Sequence, residues 1–137
     1  MSSSQASQDL GKAVLRIVLG ALILCHGISK LISGPGFVVQ MVQQAGLPQA
    51  VAYLVYIGEV VAPILLILGI WTRLAGLVVV INMLFALGLV HMKQFGEMSP
   101  TGGWALELQA LYLAGGVAVL LLGAGRFSFG GAAGRWN

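Results

Sequence analysis

The sequence predicts an all-α membrane protein: a four-helix transmembrane bundle with a short interfacial helix between helices 1 and 2. Three observations carry that expectation. The chain is 58% hydrophobic and only 8% charged, with mean hydropathy +0.96. A soluble domain has about 25% charged residues, so most of this surface must meet lipid. Four apolar segments approach the roughly 20 residues that cross a hydrocarbon core of about 30 Å. Breakers and polar runs separate them at Ser33-Gly34-Pro35-Gly36, Gly46-Leu47-Pro48, Trp71-Thr72-Arg73 and 93–101 (KQFGEMSPT).

Taken in order, residues 1–11 read as a polar tail, frayed ahead of a membrane domain over 12–125. The first helix, 12–32, carries Arg16, His26 and Lys30. Basic groups are costly in lipid and ask for partners inside the protein or at the headgroups. Arg16, Gly20, Ile23, Gly27 and Lys30 share one face, where the two glycines admit a neighbouring backbone. Residues 37–45 set Phe37, Val38, Met41, Val42 and Ala45 against Gln40, Gln43 and Gln44. That segment is too short to span and suits an interfacial helix. The second crossing, 49–70, puts Ala52, Tyr56, Glu59 and Pro63 on one stripe, with Glu59 near the midplane and Pro63 set to kink the helix beside it. The third covers 72–92; its Asn82 and His91 lie nine residues apart, half a turn, so they should point to different sides. The fourth covers 102–122, with Glu107, Ala110, Ala114 and Ala118 forming a small-residue stripe made for close packing. Residues 126–137 read as a loose, glycine-rich tail.

The charges set topology and exclude other classes. Net charge is +3, but the seven basic residues are scattered through membrane segments and form no nucleic-acid patch. Lys12, Arg16, Arg73, Arg126 and Arg135 fall on one side and Lys30 and Lys93 on the other, which favours both termini in the cytoplasm. Arg16 and Arg73 are then placed to snorkel at the inner rim, and Trp71, Trp104 and Trp136 to anchor segment ends. Cys25 is the single cysteine, so an internal disulfide and a CxxC pair are excluded; it reads as packing. No cleavable leader is expected, and the first helix doubles as the insertion signal. There is no nucleophile triad, P-loop or dinucleotide fingerprint: Gly123-Ala124-Gly125 closes a helix instead of opening one.

The candidate intramembrane polar site is His26, Lys30, Glu59, His91 and Glu107. Glu59 stands out as a carboxylate at mid-membrane with Lys30 or His26 as its partner; it serves either chemistry or a structural bond between helices one and two. The two histidines with a carboxylate offer a metal or haem reading. Neither histidine belongs to a spaced ligand motif, so no permanent metal is expected. A quinone pocket asks for less, an apolar slot with one or two hydrogen-bonding groups, and His26 with Glu59 would suffice.

The pattern resembles the DoxX family of small membrane proteins. The matching pieces are Arg16 followed by LG, then HGxxK at 26–30, a GLP turn at 46–48, Glu59 before PxLLxLGxxTRLAG at 63–76, and LYLAGG…LLGAGRFS within 111–128. The resemblance implies a four-helix protein of the bacterial cytoplasmic (inner) membrane. Some members of that family are subunits of a thiosulfate:quinone oxidoreductase, and others associate with oxidative-stress or metal-handling systems. On that basis the expected function is an accessory subunit of a membrane redox system, interacting with quinone and a redox-partner protein. The alternative is a non-catalytic scaffold or a carrier of protons or small solutes.

Overall fold

The computed structural model describes residues 3–137. Among them the secondary structure is helical, with a single isolated bridge between Met98 and Trp104. Helix α1 (Ser3–Ser33) begins well before residue 12, so residues 3–11 extend the first helix instead of fraying from it; residues 1–2 of the expected tail lie outside the described residues. Helix α2 (Gly36–Gln44) is the short helix after the breaker. The second apolar segment is one helical run, Gln49–Leu68, that changes pitch twice: a 3-10 stretch (Gln49–Leu54), a π-turn (Ile57–Val61) and then α3 (Ala62–Leu68). Helix α4 (Thr72–Ala86) runs into a second π-turn (Leu87–His91) and a 3-10 turn (Met92–Gln94). Helix α5 (Glu107–Leu122) starts five residues later than the periodicity suggests.

That late start has a local cause. Residues 93–106 fold back on themselves: Ala105 N–H bonds Glu97 O at 3.0 Å, Ser99 N–H bonds Gly103 O at 2.7 Å, and Trp104 Nε1 donates to Phe95 O at 2.9 Å. These bonds use main-chain groups a helix would have claimed.

The runs Ser3–Ser33, Gln49–Leu68 and Thr72–Gln94 are long and apolar enough to cross a membrane, and α5 is a shorter apolar helix. Helix α1 packs on α3 and α5, and α4 packs on α3 and α5. Their shared core holds Leu19, Ile23, Ala62, Leu66, Ala75, Val79, Met83, Tyr112 and Val119. Close approach is licensed by glycine. A Cβ on Gly20 would stand 2.8 Å from Pro63 O, and one on Gly76 would stand 2.9 Å from Leu120 N and 3.0 Å from Gly116 O. The tight face of α5 is therefore the Gly116 face. Ala114 of the expected stripe is exposed, as is Glu107 at its head, because α5 turns Tyr112, Gly116 and Val119 inward. Cys25 is also exposed, on the outer face of α1.

Two further expectations are corrected at the end of the molecule that holds the early part of α1. Arg16 does not snorkel; it is 2% exposed. Its guanidinium donates to Leu66 O (2.8 Å) and Ile67 O (2.7 Å), carbonyls in the last turn of α3, and also to Ala124 O and Phe127 O. The tail it grips is not loose. Phe129 N–H and Gly130 N–H bond Leu68 O and Gly69 O, each at 3.0 Å, Arg73 N–H bonds Trp136 O at 2.9 Å, and Asn137 Oδ1 accepts from Thr72 Oγ1 at 3.2 Å. Arg73 also spends its side chain on protein, donating to Leu120 O and Leu121 O.

Candidate functional site

Pro63 shapes the site before any side chain does. It has no N–H to give the carbonyl four residues back, that of Glu59. The helix answers with the π-turn, in which Ala62 N–H reaches five residues back to Ile57 O. Turns of this kind mark functional positions more often than ordinary helix does. This one presses the Glu59 backbone against Gly27 so closely that a Cβ there would overlap the Glu59 carbonyl.

With α1 held at that distance, Lys30 Nζ donates to Glu59 Oε2 at 2.5 Å. Glu59 is 8% exposed, and Lys30 is half-buried. Tyr56 Oη donates to Lys30 O at 3.1 Å, fixing the stem from which the lysine reaches. Gly58 makes room on the other side: a Cβ there would stand 2.5 Å from Asn82 Oδ1, so the Asn82 amide lies against the same π-turn.

Lys30, Gly58, Glu59 and Asn82 line one cavity of about 480 Å³, within the range of roughly 300–1,000 Å³ typical of small-molecule sites. Helix α2 covers it with Val38, Met41 and Val42, and most of the rest of the wall is apolar. The cavity wall brings together His26, Lys30, Glu59 and His91 of the expected site and leaves out Glu107. Glu107 opens α5 on its exposed side beside Gly103, one position before the helix turns Leu108 and Gln109 to the cavity.

Asn82 and His91 line the same cavity, against the expectation of opposite sides. The half-turn argument assumes 3.6 residues per turn throughout. The π-turn at Leu87–His91 breaks that assumption and re-phases His91 onto the Asn82 side. His91 Nδ1 lies 2.7 Å from Gln94 Oε1, and its Nε2 lies 3.2 Å from Gln109 Nε2. His26 meets the Tyr112 ring edge-on at 6.0 Å between centroids.

Sequence reasoning missed Gln109 and Tyr112. Gln109 carried a signal, since between residues 108 and 122 it is the one amide in an otherwise apolar helix. Tyr112 did not, because an aromatic at that spacing reads as core. Among the described residues no three His, Cys, Asp or Glu side chains gather as metal ligands would.

The site thus combines an apolar slot, a partly buried ion pair and two amides, with Lys30 from α1, Asn82 from α4, Gln109 from α5 and Glu59 and His91 from the two π-turns. Residues 11–92, which hold Lys30, Glu59, Asn82 and His91, match the model of the DoxX family. The chain belongs to the DoxX family. The match stops before α5, so the motif at 111–128 lies beyond it. A relative in Bacillus subtilis (strain 168), named "Putative oxidoreductase CatD", is 29% identical over 108 residues, which is 79% of this chain and 80% of that protein. No solved structure matches the chain. Within this DoxX protein, the apolar helices and the family together describe a membrane protein.

Proposed function

We propose that this DoxX protein is a four-helix membrane bundle in which α5 makes the fourth crossing, and that its cavity takes a quinone. In this reading it is an accessory subunit of a redox system in the bacterial cytoplasmic (inner) membrane, with both termini in the cytoplasm. The observation that carries the reading is the cavity itself: about 480 Å³, mostly apolar, with Lys30, Glu59, Asn82 and the two histidines in its wall. A quinone ring needs a dry slot and one or two donors for its carbonyl oxygens. Lys30 Nζ on the cavity wall is one such donor, and the Asn82 amide lies in the same wall. When bound, the quinone would supply the electron chemistry. The protein's own part is to hold the ring, exclude water, and keep a proton-bearing pair beside it in Lys30 and Glu59. The relative named as an oxidoreductase supports the same class.

A second reading is favoured by one observation. The Lys30–Glu59 pair is complete in itself and joins α1 to the second crossing where their backbones touch, which is what a scaffold requires. Glu59→Gln separates the two, because it keeps shape and hydrogen bonding and removes the charge. The protein purified natively should carry quinone and a partner protein, both detectable by mass spectrometry. Glu59→Gln should still insert and fold but lose the quinone. If Gln retains the quinone and only Glu59→Leu is damaging, the pair is a structural staple. If no quinone is found with the wild-type protein, the quinone reading fails.

A further inference from the structure

Part of the cavity wall is also the outer surface of the protein. Leu54, Ile57, Ile81 and Phe85 line the cavity, yet they are 47–55% exposed. Side chains that only closed the slot would be covered on their far side, as Ala52 and Met83 are in the same wall, at 1% and 5%. The packing of the helices gives the reason. Helix α4 packs on the π-turn Ile57–Val61, where the Asn82 amide lies against Gly58. The 3-10 stretch before that turn packs on α2 and on the turn itself. The second crossing therefore parts from α4 ahead of Ile57. Leu54 and Ile57 stand on one side of the gap, and Ile81 and Phe85 on the other.

Depth identifies what the gap faces. Ile81 and Phe85 lie two positions either side of Met83, the midpoint of the run Thr72–Gln94. Ile57 is within two positions of the middle of Gln49–Leu68. Runs of such length and hydropathy cross the hydrocarbon core, so their middles meet acyl chains and not headgroups. Phe37 and Leu108 also line the cavity and are exposed, but each stands in the first turn of its helix, near the ends of the crossing runs.

We propose that the gap between 54–57 and 81–85 is a lateral portal to the bilayer interior, through which the ring of a lipid-tailed quinone enters while its isoprenoid tail stays among the acyl chains. This rests on the quinone reading above and adds the route of entry and the class of tail. A tail that stays outside needs no room in the cavity, so its length is not limited by the 480 Å³ within.

The test uses the full-length protein in phosphatidylglycerol–phosphatidylcholine nanodiscs and a decylubiquinone analogue with a diazirine midway along its tail. After irradiation, adducts are mapped by peptide mass spectrometry, with and without excess decylubiquinone. The adducts that excess decylubiquinone removes should fall at 54–57 and 81–85. Removable adducts confined to Phe37, 89–91 or Leu108 would mean that the tail leaves at the headgroup end; the portal then falls and the quinone reading stands. Absence of any removable adduct overturns both. Ile81→Trp enlarges the rim of the gap and changes neither Lys30 nor Glu59. It should weaken binding of decylubiquinone and of an octaprenyl ubiquinone about tenfold, the scale of an overpacked contact, and leave the tailless dimethoxy-methylbenzoquinone within about twofold. Equal loss of the tailed and tailless forms would place Ile81 against the ring and overturn its assignment to the portal. Binding of the decyl form without the octaprenyl form would show an enclosed tail site, and the portal falls. The wild-type adduct map decides even if the variant does not fold.

Discussion

Lys30 and Glu59 meet where Gly27 lets α1 touch the π-turn, so their short bond follows from backbone proximity as much as from side-chain reach. Removing one partner leaves the other polar and buried, which costs about 1–3 kcal/mol. Lys30→Met and Glu59→Leu should each lower the melting temperature in detergent. The double variant should recover much of the loss, giving an interaction energy above about 0.5 kcal/mol in the cycle. Simple additivity of the two single changes would show that the contact contributes nothing. Both residues were legible in the sequence, because a charge in an apolar helix demands a partner whatever the fold. Arg16 was legible as a charge and not as a contact. Its partners are main-chain carbonyls of Leu66, Ile67, Ala124 and Phe127, which carry no mark in the sequence.

At the scale of elements, apolar periodicity located the three helical runs long and apolar enough to cross a membrane, because a helix in lipid must satisfy its own backbone and the pattern follows. It failed wherever the pitch changed. Pro63 announced a disturbance next to Glu59, and the disturbance is the π-turn at Ile57–Val61. The second π-turn, at Leu87–His91, contains no proline to announce it, and it moves His91 into the cavity. The face of α5 was misread for a different reason. Alanine and glycine are both small, yet the close contact with α4 is made at Gly116, where an added Cβ would stand 3.1 Å from Val79 Cγ1 and 3.3 Å from Gly76 O. Gly116→Leu should therefore splay α4 from α5 and cost at least the ~1–3 kcal/mol typical of overpacking. Ala114→Leu, on the exposed face, should leave thermal stability in detergent within about 0.5 kcal/mol. Equal damage from the two changes would mean that α5 is rotated from the orientation described.

Over the whole molecule, charge is divided between two ends that differ in how they use it. Lys12, Arg16, Arg73 and the 124–137 segment gather at one end, where Arg16 and Arg73 tie the last residues to the link after α3. Lys30 lies 18 residues beyond Lys12 on the same helix, about 27 Å away at 1.5 Å per residue, and its charge is matched by Glu59. Lys93 shares its exposed loop with Glu97. Carboxylates partner lysines at both ends, Asp9 lying 3.8 Å from Lys12 and Glu59 meeting Lys30, so the basic count of five against two carries the topology. Since basic residues near helix ends are retained on the cytoplasmic side, a reporter joined after Asn137 should be cytoplasmic and one inserted at 93–101 should be external. The packed tail makes the first position informative, because it is bound to the link after α3 and must lie on the same side. A cytoplasmic signal from the 93–101 reporter with an external one from Asn137 would invert the molecule. The cavity would then open in the inner leaflet, and a ligand drawn from the bilayer would reach Lys30 and Glu59 from the cytoplasmic side.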